Sequence, residues 1–229
     1  MIEDNIFLTY RPIKEKLIDY GFVSFSTCLA YEVDFFNDEY KAKILVDSKG
    51  KVGGKVIENA FGEEYLPLRN ESYHGNYVGE VREAYKAILL DIRDKCFHKD
   101  AFISKQANRI AKAIYEKYVE SPDFPFESDK IKNYGVFRRK DNAKWYGLIM
   151  NITRRNLDKK ESDERIDVIN LKIKEEEGEE LISIRGIYPS YHMNKKKWIS
   201  IVLDESIDDS FIMHLLDSSR ELVASKRKK

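Results

Sequence analysis

The chain has 229 residues, 42% of them hydrophobic and 12% aromatic, with 40 basic against 40 acidic side chains. That length supports more than one core, so two compact domains are expected, and the balanced charge excludes a global polybasic pull toward nucleic acid or membrane. The balance is uneven along the chain: residues 1–97 carry 13 Lys/Arg and 17 Asp/Glu (net −4), and residues 98–229 carry 27 and 23 (net +4), so the second half is the better place for a polyanion to bind.

Thr9 is a candidate N-cap for a first helix, with Pro12 in its first turn, Ile13, Leu17 and Ile18 on its apolar side and Gly21 at its end. FVSFSTCLAYEVDFF is rich in β-formers and reads as one strand. In DSKGK, Asp47 and Ser48 start a hairpin turn and Gly50 supplies positive φ, and AFGEE is a second turn. Residues 22–69 are thus expected to form a four-stranded antiparallel meander. Val78, Val81, Tyr85, Leu89, Ile92 and Cys96 recur at three- and four-residue steps, the mark of a long amphipathic helix. Residues 1–97 therefore predict an α-ββββ-α domain, one sheet layer covered by helices.

The second domain is expected over residues 98–229. Asp100 is a candidate N-cap for a helix whose buried face is Ile103, Ala107, Ile110, Ala111, Ile114 and Tyr118. A proline-containing loop, ESPDFPFESDK, leads to a hairpin that turns at RKDNAK. ERIDVINLKI reads as a third strand, EEEGEELISI as a short helix and KKKWISIVLD as a further strand. Ser206, with Asp209 three residues on, has the pattern of a capping box for a last helix that buries Ile212, Leu215, Leu216, Leu222 and Val223. The expected order is α-βββ-α-ββ-α, and the whole chain is expected to be α+β.

Two cysteines, Cys28 and Cys96, form neither a disulfide framework nor a metal-ligand spacing. Low cysteine use fits a reducing cytoplasm. The acidic start MIEDNIFLTY lacks the basic and apolar regions of a signal peptide, and no apolar run approaches a spanning helix. The terminal KRKK is a basic tail. The expectation is a cytoplasmic protein with no membrane association, as a monomer or small homo-oligomer.

Catalytic patterns are poor. His74, His98, His192 and His214 show no metal-binding spacing, and there is no nucleophile elbow, Walker loop or GxGxxG. No cofactor or metal is expected. His192 is the one histidine in a dense polar setting, with Asn194 beside it, and an enzyme using it would need a second titratable group in a pocket.

Binding chemistry is more visible. Arg138, Arg139 and Lys140, with Lys144 and the pair Arg154–Arg155, place cations at both ends of one hairpin, and Lys195, Lys196 and Lys197 sit together in YHMNKKKW. Strand alternation assigns Tyr146, Leu148, Met150 and Ile152 to a core face and Trp145, Gly147, Ile149, Asn151, Thr153 and Arg155 to the other. In the last strand, Ile199, Ile201 and Leu203 oppose Lys196, Trp198, Ser200 and Val202. Were these strands to share a sheet, one surface would show two indoles beside Asn151, Thr153, Arg155 and Lys196. Such a surface would neutralise phosphate and stack bases. Two other expectations stand beside it: the indoles are covered by the first domain, or the acidic run 175–180 pairs with the lysines.

These C-terminal residues resemble the MmcQ/YjbR family. The resemblance is carried by Phe137, Arg138, Asn142, Lys144 and Trp145, by His192, Asn194, Lys195 and Trp198 in an H-x-NK-x-x-W turn, and by Leu203, Asp204, Ser206 and Ser218, over about residues 100–225. It implies an α/β fold similar to secretion chaperones and to the frataxin-like CyaY proteins. It also implies the DNA-binding label that the family carries from a proposed double-wing arrangement. Residues 1–97 look like the N-terminal extension of longer members. Two positions depart from the pattern. Lys197 stands where a histidine is frequent, and Asp204-Glu205-Ser206 replaces a glycine-containing turn. The sequence thus points to a non-enzymatic protein that binds DNA weakly through the basic hairpin and the 192–198 turn, with a protein-interaction module as the alternative.

Overall fold

A computed structural model of the chain describes residues 1–70, 73, 75–128, 131 and 133–225; His74 and the KRKK tail lie outside the described residues. The fold is α+β, in two compact units, Met1–Asp100 and Ala101–Lys229.

The first unit opens differently from the sequence expectation. A short helix α1 (Ile2–Phe7) precedes a strand β1 (Tyr10–Pro12), and α2 (Lys14–Tyr20) starts only after Pro12. Thr9 is therefore not a helix cap, because the backbone of residues 10–12 is spent on pairing with a later strand. Gly21 does end α2, in the left-handed conformation at φ 117°. The stretch read as one strand breaks at Ser26 (φ 53°) into β2 (Val23–Phe25) and β3 (Cys28–Phe35). With β4 (Tyr40–Val46), β5 (Val52–Glu58) and β6 (Glu63–Glu64) these make a five-stranded meander in the order β2-β3-β4-β5-β6, one strand more than expected. Gly50 (φ 85°) turns β4 into β5.

One face of this meander is apolar. Tyr40, Ala42, Ile44 and Val46 of β4 are buried, and with Val52 and Val56 of β5 they pack in one core with Tyr85, Leu89 and Ile92 of α3 (Asn76–Cys96). At the centre is a buried carboxylate, Glu3, 1% exposed, which accepts hydrogen bonds from the Tyr85 hydroxyl (2.6 Å) and Arg69 Nη1 (2.9 Å). Strand β7 (Phe97–Lys99) continues from α3 and pairs antiparallel with β1. That pairing holds residues 97–99 in the first unit, so the division falls after Asp100 rather than at Phe97.

The second unit begins with α4 (Lys105–Tyr118), capped by the Ser104 hydroxyl and not by Asp100. Strands β8 (Gly135–Arg138), β9 (Trp145–Thr153), β10 (Arg165–Lys172), β11 (Ile187–Pro189) and β12 (Trp198–Val202) form an antiparallel sheet in the order β11-β12-β10-β9-β8. A short helix α5 (Gly178–Ile182) precedes β11, and α6 (Asp209–Leu222) closes the unit. Asp208, not Ser206, occupies the N-cap position of α6. Both faces of the sheet are buried. Ile149, Ile169, Leu171, Ile199 and Ile201 pack with Ile110 and Ile114 of α4 and Leu216 of α6. Val136, Leu148, Met150, Ile152, Val168 and Val202 form a second cluster, covered by Phe126, Tyr134, Trp145, Tyr188 and Tyr191.

Candidate nucleic-acid interface

Strand pairing decides which predicted site residues meet. Gly147 of β9 pairs with Leu171 of β10, and Lys172, the next residue, pairs with Trp198 of β12. The turn between β8 and β9 (residues 139–144) and the turn leading into β12 (residues 190–197) therefore lie at the same end of the sheet, two strand spacings or ~10 Å apart. Arg155 follows the other end of β9, in the 3-10 turn Arg154–Asn156, and pairs there with Asp163 at 3.1 Å. The sheet brings the two basic turns together and leaves Arg155 out.

A β-bulge corrects the assignment of faces. The register steps from Phe137↔Gly147 to Arg138↔Trp145, so Tyr146 is an extra residue on β9. Tyr146 joins the helix-side cluster, while Trp145 turns to the side of Leu148 and Met150. Trp198, paired with Lys172 and alternating with Ile199, faces that same side. The tryptophans thus share a face, but it is an apolar, covered one. Trp198 is only 9% exposed. Trp145 stands edge-on to Phe126 (ring centroids 6.3 Å), and the Arg138 guanidinium lies 5.0 Å from its ring centroid. Asn151 belongs to the opposite face. Its amide donates to Asp167 Oδ1 at 2.8 Å, and Asp167 Oδ2 accepts the Ser104 N–H at 2.6 Å, which fixes the start of α4. The expected open surface of two indoles, Asn151, Thr153, Arg155 and Lys196 does not form.

The YHMNKKKW turn is held from below. Ser190, Ser200 and Asn170 are each fully buried. The Ser200 hydroxyl donates to Asn170 Oδ1 (2.6 Å), Asn170 Nδ2 donates to the Tyr191 carbonyl (2.8 Å), and the Tyr191 N–H donates to Ser200 Oγ (2.9 Å). This closed triangle fixes the chain where it leaves the sheet. His192 follows in the left-handed region (φ 61°), its ring tilted 49° against that of Tyr191 with centroids 3.9 Å apart. Asn194 is a turn former: its side-chain oxygen accepts the Lys196 N–H (3.0 Å) and its carbonyl accepts the Lys197 N–H (2.9 Å). The Lys197 carbonyl then accepts the Ile173 N–H at 2.9 Å. His192 and Asn194 shape the turn, and Lys195, Lys196 and Lys197 stand exposed on it.

Several of the predicted cations are already paired. Arg138 lies 2.8 Å from Asp123, Arg139 forms a fork with Asp141 (2.9 and 3.0 Å), and Lys196 lies 3.2 Å from Glu175 of the acidic run. The Arg139 guanidinium holds the Asp141 carboxyl below its ordinary range. Lys140, Lys144, Lys195 and Lys197 have no carboxylate within ion-pair distance among the described residues, nor does Lys172, which sequence reasoning absorbed into a strand.

Behind the hairpin lies a buried carboxylate that the sequence did not single out. Glu120, 3% exposed, accepts from Arg220 (2.8 and 3.0 Å), the Tyr146 hydroxyl (2.8 Å) and the Lys140 N–H (3.0 Å). Burial alone pushes its carboxyl up, but those donors outweigh it and hold the group below the ordinary range. Burial and the Glu120 carboxylate push the Tyr146 phenol up. Each Glu120 oxygen accepts from two donors, and this cluster ties the hairpin to α6.

Clefts of about 420, 500 and 740 Å³ open elsewhere, and none is lined by His192, Trp145 or the 190–198 turn. Among the described residues no cluster of three His, Cys, Asp or Glu side chains has metal-site geometry, and no helix is long and apolar enough to cross a membrane.

Known proteins resemble the second unit. The family model described as YjbR matches residues 116–222. The uncharacterized protein YyaQ of Bacillus subtilis (strain 168) is 42% identical over 113 residues, which is 49% of this chain and 93% of YyaQ. The chain belongs to the MmcQ/YjbR family. A Pseudomonas syringae protein solved by crystallography is 36% identical, with 53% of this chain and 99% of that chain covered and a TM-score of 0.48. A solution NMR structure from the same organism gives 36% identity, coverage of 54% and 96%, and a TM-score of 0.48.

Proposed function

We propose that the protein is a cytoplasmic, non-enzymatic nucleic-acid binder of modest affinity, working through phosphate contacts at one end of the second unit's sheet. One observation carries this reading: Lys140 and Lys144 of the hairpin and Lys195 and Lys197 of the turn share a sheet end with no carboxylate partner among the described residues. Lys196, Arg138 and Arg139 are held by Glu175, Asp123 and Asp141, and contribute only where phosphate displaces a carboxylate. Trp198 is buried and Trp145 packs against Phe126 and Arg138, so neither is expected to stack a base. The site reads charge and not base identity. The free thiols Cys28 and Cys96 fit a reducing compartment.

Fluorescence anisotropy with a short labelled duplex, titrated against salt, tests this. With up to four lysines engaged, log K is expected to fall with log salt at a slope of roughly −3 to −4. Replacing Lys140, Lys144, Lys195 and Lys197 together by alanine is expected to abolish binding. No binding at low salt, or binding unchanged in that variant, refutes the proposal.

A further inference from the structure

The first unit has a sheet face that its helices do not cover. Strand register lines up Val23, Ala30, Leu45 and Gly53 as one row across β2, β3, β4 and β5. Val23 is 65% and Leu45 40% exposed. The row to one side, Phe25 and Cys28, is uncharged, with Phe25 64% exposed, and the two rows to the other side carry charges sorted by strand. Glu32 and Asp34 stand on β3, opposite Lys43 and Lys41 on β4. They pair at 3.1 and 3.4 Å within the chain, and all four side chains stay 34–50% exposed.

We propose that this face binds a second copy of the chain, about a two-fold axis parallel to the strands and midway between β3 and β4. Such a rotation preserves height along the strands, so rows stay matched. It lays β3 of one copy over β4 of the other, and β2 over β5. The acidic column then meets the lysine column in both directions: Glu32 faces Lys43 of the second copy, and Asp34 faces Lys41. Sizes match as well. Leu45 faces Ala30, and Val23 faces Gly53, where an added Cβ would meet nothing within 4 Å. Charge and volume are thus both self-complementary under one operation, as an isologous interface requires. Facing sheets pack ~10 Å apart with strands within about 30° of alignment, so the match is tightest on β3 and β4. Four strands by the three matched rows span roughly 15 by 14 Å. That is smaller than a standard stable interface, so the dimer is expected to be weak and concentration-dependent.

Analytical ultracentrifugation of the full chain tests this with two charge variants. Glu32→Lys with Asp34→Lys makes both columns basic, and Lys41→Glu with Lys43→Glu makes both acidic. Wild type is expected to shift from monomer to twice the mass through the micromolar range. Each variant alone is expected to remain monomeric, and their equimolar mixture to regain the dimer as a heterodimer. Leu45→Glu, at an exposed position, is expected to be monomeric with an unchanged melting temperature. A wild type that stays monomeric throughout, variants that still self-associate, or folded variants whose mixture does not pair would overturn the proposal.

Discussion

The Ser200 hydroxyl of β12 reaches across to the Asn170 amide of β10 at 2.6 Å, and both residues are wholly buried. Two strands meet there through side chains as well as backbone, and the chain segment that carries the exposed lysines is hung from this pair by the Tyr191 peptide. Ser200→Ala leaves the Asn170 oxygen and the Tyr191 N–H without their partner, at a cost of ~1–3 kcal/mol. Both tryptophans lie in the second unit, so the loss is measurable as an earlier denaturant midpoint in tryptophan fluorescence. Hydrogen exchange at the Tyr191 amide should accelerate at the same time. An unchanged midpoint would show that the triangle is dispensable.

Glu120 makes an acid-sensitive contribution. Its carboxyl lies below the ordinary value of 4.5, so the stability it supplies is fully present above that value and is lost as pH falls through the lowered folded value. Glu120→Gln removes the charge that faces Arg220 and is expected to cost about 3 kcal/mol at neutral pH. The variant's stability should also decline less steeply than wild type below pH ~4.5, since one titrating group has been removed. Parallel acid profiles for the two proteins would contradict this.

In the first unit, Gly54 admits no side chain. A Cβ there collides with the Tyr85 hydroxyl and comes within 3.0 Å of Glu3 Oε1, the acceptor at the centre of the buried cluster. The Gly54 carbonyl is itself taken by Arg69. Gly54→Ala is expected to destabilise the unit by ~1–3 kcal/mol through overpacking. The readout is faster amide exchange in β4 and β5. Gly53→Ala, one residue away on the open face, should fold normally.

Intramolecular carboxylates temper the candidate interface. Glu175 lies 3.2 Å from Lys196 with both side chains well exposed. Glu175→Ala removes that competitor, and duplex affinity at low salt is expected to rise about two- to five-fold, with the salt slope steeper by ~0.9 if Lys196 gains one phosphate. Weaker or unchanged binding would mean that the 190–197 turn does not contact the duplex.

Much of this architecture is legible in the sequence because apolar periodicity is a local signal. Val81, Tyr85, Leu89, Ile92 and Cys96 are the buried stripe of α3, as spacing predicts, and Gly50 turns the hairpin it marks. What escaped depends on pairing between distant segments. Nothing local reveals that residues 10–12 will pair with 97–99, so Thr9 passes for a helix cap. Alternation carries no warning of the bulge at Tyr146, and one extra residue is enough to reverse the face of Trp145. Among the site residues, exposed lysines in a turn are readable, and so is the acidic run 175–180 that supplies Glu175 to Lys196, whereas the carboxylates that occupy Arg138 and Arg155 are not marked by any local pattern.

The β1–β7 pairing also bears on how the first unit comes together in time. Its sheet joins only strands that are neighbours in sequence, each closing a short loop, but Tyr10↔Lys99 and Pro12↔Phe97 enclose everything from Ile13 to Cys96. Loop-closure entropy defers such a distant contact until the meander and α3 exist to hold its ends near each other. The ribbon is then a clasp, the last part to fasten during folding and the first to open. The flanking amides of Ile13 and Asp100, bonded to the Cys96 and Thr9 carbonyls, should accordingly exchange well ahead of those in β4.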